Sequence, residues 1–148
     1  MKNLKVLTEA IKNGCNIHAF RSGGGLRVVR IEKDNELKGY GEHPYISEAL
    51  EHVAENYSNP ILYEKQYSGE EAKYTHYLTG AHPTGIDTLD LWIYNGYTFD
   101  AFLKDAQIVV ELVGYNKDVT PIKKIAIGDS FEEAMEKALV AEEIKIKN

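Results

Sequence analysis

Apolar residues recur at helical spacing in three stretches of the chain and alternate with polar residues in several others, which predicts a mixed α and β fold. Leu4, Leu7, Ala10 and Ile11 fall on one helical face and Gly14 follows where a helix often ends, so residues 3–13 read as a short helix. Ile17, Ala19 and Arg21 alternate with His18, Phe20 and Ser22 as in a strand that breaks at Gly23-Gly24-Gly25. Residues 26–32 read as a second strand, Lys33-Asp34-Asn35-Glu36 as a turn, and 37–42 as a third strand weakened by Gly39 and Gly41. Pro44 suits the first turn of a helix that gathers Ile46, Ala49, Leu50, Val53, Ala54 and Tyr57 on one face.

The end of the chain repeats this plan. Residues 107–115 and 121–128 are strand-like, and 129–144 predict a helix with Phe131, Ala134, Met135, Ala138 and Leu139 as its stripe, opened by a Ser130/Glu133 capping box. Val28-Val29-Arg30-Ile31 aligns with Val109-Val110-Glu111-Leu112, and Ile46–Glu51 aligns with Phe131–Glu136 through shared Glu, Ala and Glu. By the same alignment Leu91–Gly96 corresponds to Ile17–Ser22 and would be a strand. The expected fold is therefore α+β, with two antiparallel β-sheet/helix units forming an internal ββ(β)α repeat in one compact domain, 1–148. The units span 15–57 and 88–144, joined by a Tyr-rich connector, 58–87, with some strand around 74–78.

Composition narrows the functional classes. A hydrophobic fraction of 43% suits a packed core, and a net charge of −6 opposes general nucleic-acid binding. Cys15 is the only cysteine, so no internal disulfide forms; it reads as a small buried hydrophobe in a reducing compartment. Without a signal-like or membrane-spanning apolar run, a cytoplasmic location is expected and no membrane association.

Chemistry enters through arginine. All three, Arg21, Arg27 and Arg30, lie within ten residues around the triglycine, while the lysines are scattered. A guanidinium fork matches carboxylate and phosphate oxygens, so the cluster marks an anion site. It is neither a P-loop nor a dinucleotide fingerprint, because its glycines join strand to strand; what remains is a hairpin tip whose bare backbone forms an anion nest. Arg27 and Arg30, three positions apart, face opposite sides of a strand, which leaves Arg21 and Arg27 as the pair across the tip. Ten tyrosines add hydrogen-bonding aromatic surface. The candidate ligand-binding set is Arg21, Gly23, Gly24, Gly25, Arg27, Tyr40, His43, Tyr94 and Tyr97.

Other chemistries lack a pattern. The five histidines lack zinc spacing and thiolate partners, the serines sit in turns or caps without a nucleophile motif, and Asp87 and Asp90 read as surface carboxylates. No metal, cofactor or catalytic activity is expected. The reading is a non-catalytic protein that captures a small anionic ligand, nucleotide-like ligands being one class, for example as a virus-encoded sequestering factor. The alternative is a protein-interaction module, such as an inhibitor or antitoxin acting on a basic partner, and unpaired strand edges also allow a homo-oligomer. Residues 107–141, above all Ile127-Gly128-Asp129-Ser130-Phe131-Glu132-Glu133-Ala134, resemble the strand-to-helix segment of HicB-type antitoxins, less than a quarter of the chain. The preceding Thr120-Pro121-Ile122-Lys123-Lys124 departs from that family's glycine-rich turn, and the resemblance assigns no function.

Overall fold

A computed structural model describes residues 4–57 and 85–146. The chain runs α1 (Leu4–Lys12), β1 (Asn16–Arg21), β2 (Arg27–Lys33), β3 (Glu36–His43) and α2 (Ile46–Glu55). It continues with α3 (Gly85–Tyr94), β4 (Thr98–Lys104), β5 (Gln107–Tyr115), β6 (Pro121–Gly128), α4 (Phe131–Leu139) and the short β7 (Ile144–Lys145). Among the described residues seven strands make one antiparallel sheet in the order β3-β2-β1-β4-β5-β6-β7, so the fold is α+β with β1 and β4 at its centre.

The alternation of each strand sorts its residues between two unlike faces. Ile17 and Ala19, Val29 and Ile31, Phe99 and Ala101, and Ile108, Val110 and Leu112 are buried beneath the four described helices, which pack as one layer on this side. Phe99 meets Phe131 of α4 edge to face, with ring centroids 5.7 Å apart. The intervening residues, His18, Phe20, Arg30, Tyr40, Asp100, Phe102, Glu111, Val113 and Ile125, are half-buried on the other face, and no described element lies over it. Cys15 is buried as expected, its Sγ 3.7 Å from the Tyr57 hydroxyl.

Local chemistry accounts for the element ends. In α4 the Ser130 side chain accepts a hydrogen bond from the Glu133 amide at 3.1 Å, the predicted N-cap. Two helices close with the same C-terminal motif: the amides of Gly14 and Gly96, both at positive φ, donate to the carbonyls of Ile11 and Ile93, while Cys15 and Tyr97 reach back to Ala10 and Trp92. The second of these ends α3, and it corrects the strand expected at 91–96: the strand of this half is β4, after the glycine. The helix also takes over the last residues of the 58–87 connector, beginning at Gly85. The remaining connector, including the strand expected at 74–78, lies outside the described residues.

Candidate functional site

Antiparallel pairing brings the ends of β1, β3 and β5 and the starts of β2, β4 and β6 to one end of the sheet. The triglycine tip is there. Its turn is closed by the Ser22 amide donating to the Leu26 carbonyl at 2.8 Å and the Gly25 amide to the Ser22 carbonyl at 3.0 Å. Around Gly23 and Gly24 there is open space, with nothing within 4 Å of where a Cβ would stand.

Arg21 and Arg27 are cross-strand partners, as expected, but their environments differ. Arg21 is exposed; its guanidinium carbon lies 4.6 Å from the Tyr94 ring centroid and its Nη1 donates to the Tyr94 carbonyl at 3.0 Å. Its other N–H donors have no partner among the described residues. Arg27 is fully buried, with Nε and Nη2 each 2.9 Å from a separate carboxylate oxygen of Asp90 and Nη1 2.7 Å from the Gly25 carbonyl. Arg27 is thus committed to the fold, which corrects its reading as a ligand contact: its charge is matched internally, and solvent does not reach it.

Asp90 is the residue sequence reasoning missed. Read as a surface carboxylate, it is instead fully buried and also accepts the Ile46 amide at 2.8 Å, serving the first turn of α2, where Tyr45 provides no side-chain cap. Burial pushes its pKa above the usual aspartate value, against the pull of the Arg27 fork and the Ile46 N–H. One carboxylate therefore ties β2, α2 and α3 together under the tip.

The other expected residues divide between the two faces. His43, the cross-strand partner of Arg27, accepts the Tyr45 amide at Nδ1 (3.1 Å) and meets the His52 ring edge-on at 5.7 Å; burial lowers its pKa. Tyr40 pairs with Arg30 on the far face, its hydroxyl 3.2 Å from Glu42, so the fold does not bring it to the tip. Tyr97 is buried, edge-on to Trp92 at 4.6 Å, with its hydroxyl donating to the Tyr115 carbonyl at 3.1 Å.

Tyr97 forms the floor of a groove of 460 Å³ at this same end, lined by Trp92, Asn95, Tyr97, Tyr115, Asn116, Lys117, Asp118 and Glu143. Its outer wall is a loop ordered from within, since the Asn116 side-chain oxygen accepts the amides of Asp118 (2.9 Å) and Thr120 (3.0 Å). Lys124 lies under it, Nζ 4.5 Å from the Trp92 ring and 2.6 Å from the Leu139 carbonyl, its pKa lowered by burial. Asn95, on the groove wall, follows Tyr94, whose carbonyl holds Arg21, so a single peptide links the arginine to the groove.

The face opposite the helices carries an ordered row of charge. Across six strands, cross-strand partners run Arg30, His18, Asp100, Glu111, with Tyr40 before and Ile125 after. His18 Nδ1 lies 2.7 Å from an Asp100 oxygen; that hydrogen bond raises the imidazole pKa above its ordinary value, while burial works against it, Glu32 adds to the rise and Arg30 subtracts. A raised folded-state pKa stabilises fully below the unfolded-state value, and that contribution is lost as pH climbs through the folded-state value. The melting-temperature gap between wild type and His18→Gln is thus expected to be widest near pH ~5.5 and to shrink toward pH ~8. A gap that stays flat or widens with pH would reject the pairing.

Against this geometry, comparison with known proteins finds no match: no protein-family model, no curated protein and no solved structure corresponds to the chain. Among the described residues no helix is long and apolar enough to cross a membrane. The class is defined by architecture and site, a single-sheet α+β domain with an arginine tip and an aromatic groove at one end.

Proposed function

We propose that the protein is a non-catalytic binder of a small anionic, nucleotide-like ligand held at this end of the sheet. The groove carries the reading: Trp92 and Tyr97 present aromatic rings, and Lys117 supplies positive charge at the rim. Asp118 and Glu143 repel a phosphate but suit the hydroxyls of a sugar, as an acidic residue does in dinucleotide sites. The anionic part of the ligand then points to Lys117 and, past the Tyr94–Asn95 peptide, to Arg21 and the open backbone of Gly23 and Gly24.

Isothermal titration with nucleoside mono- and diphosphates, cyclic nucleotides and sugar phosphates tests this on wild type, Lys117→Ala and Arg21→Ala. Lys117 and Arg21 are both exposed, so neither change should move stability by more than about 0.5 kcal/mol. Loss of one charged contact to the anion is expected to weaken binding roughly tenfold or more. Failure of every compound to bind, or equal binding by all three proteins, would sink the reading.

A further inference from the structure

We propose that the face of the sheet opposite the helices is a homodimer interface, independent of the ligand groove, in which a second copy lies face to face with its cross-strand order reversed. The partner is chosen by the charge row. Arg30 and His18 lie on one side of the β1–β4 seam and Asp100 and Glu111 on the other, at successive positions of one cross-strand line. A twofold axis along the strands at that seam sets Arg30 of each copy against Glu111 of the other, and each His18–Asp100 pair against its reversed counterpart. An axis along the row instead stacks like charge on like. The order of charges thus selects one arrangement, which is isologous and closed.

A nucleic acid or a strongly basic protein would need a row of one sign, and this row is divided equally between two. The two outer charges are also under-used within one chain. Arg30 makes only a long 3.4 Å contact with the half-exposed Glu32, and Glu111 has no ion pair among the described residues. Between and around them Phe20, Phe102, Val113 and Ile125 are half-buried and Ile127 is 47% exposed, apolar surface for two sheets packed roughly 10 Å apart in the aligned manner. Six strands of about 20 Å at a spacing of ~4.8 Å offer a projected area of roughly 600 Å² per copy, and accessible area exceeds projected area, near the ~800 Å² per partner of a stable interface.

Sedimentation equilibrium of the full chain at low salt reads the result. Wild type is expected at twice the 16.7 kDa chain mass. Arg30→Glu and Glu111→Arg, each folded by circular dichroism, should each raise the dimer dissociation constant on the order of a hundredfold or more, because each sets like charges opposite one another. Mixing the two variants should restore association as a heterodimer, since the copy with carboxylates at both outer positions of the row then meets the copy with guanidinium groups at both. A wild type that stays monomeric at tens of micromolar, single variants that dimerise like wild type, or a mixture that stays monomeric while wild type dimerises would each overturn the proposal.

Discussion

Truncating Asp90 to alanine is expected to destabilise the fold by about 3–5 kcal/mol in urea unfolding, and Arg27→Ala by a similar amount. Both side chains are wholly excluded from water and joined by two 2.9 Å hydrogen bonds, so removing either strands the other. Asp90→Ala also removes the acceptor for the Ile46 amide at the start of α2. The double substitution Arg27→Met with Asp90→Leu should recover much of the loss, because replacing both partners removes the unpaired charge while keeping volume. Single variants within about 1 kcal/mol of wild type would show that the pair is hydrated in solution and not the strut described above. The same reasoning decides how binding is probed: Arg27→Ala would lower any apparent affinity through the fold, whereas Arg21→Ala reports on the site.

Periodicity made legible those parts of the fold whose buried stripe is purely apolar. β5 and β6 occupy the residues expected from alternation, and the first helix and the strands of the first half differ from expectation by one or two residues. The failure at α3 has a physical origin: its buried positions are Leu89, Asp90 and Ile93, so a carboxylate sits in the stripe where an apolar residue would signal a helix. What remains, Leu91-Trp92-Ile93-Tyr94, is a continuous apolar run that mimics a buried strand. That carboxylate is the partner of Arg27, so one unrecognised ion pair hid both a helix and the role of an arginine. Facing was predictable where pairing was not. Arg27 and Arg30 do point to opposite sides, because the bulge in β2 falls beyond them at Ile31/Glu32. The groove could not be anticipated, since Trp92, Lys117 and Glu143 come from three separate parts of the chain, and only the antiparallel order places them together.

Gly41→Ala should be among the most damaging substitutions of a single methyl, about 3 kcal/mol, the upper end for overpacking. A Cβ there would stand 2.2 Å from the Ala49 carbonyl oxygen, 2.9 Å from the Val53 amide nitrogen and 3.2 Å from the Ala49 carbonyl carbon, all backbone of α2. No rotamer change relieves such a contact, so the helix must lift from β3 and loosen Ile46, Ala49, Leu50 and Val53 from the core. Gly39→Ala meets Val53 at 3.2 Å, a shift of tenths of an ångström, and is expected to cost about 1 kcal/mol; Gly24→Ala meets nothing within 4 Å and should be nearly neutral. Because α2 also carries the amide that Asp90 binds, lifting it weakens that contact in advance. Asp90→Ala and Gly41→Ala together should therefore destabilise by less than the sum of the two, by roughly 0.5–1 kcal/mol in a double-mutant cycle. Equal urea midpoints for Gly41→Ala and Gly24→Ala would mean that α2 does not lie so close to the sheet, and strict additivity with Asp90→Ala would separate the seating of the helix from the tip it supports.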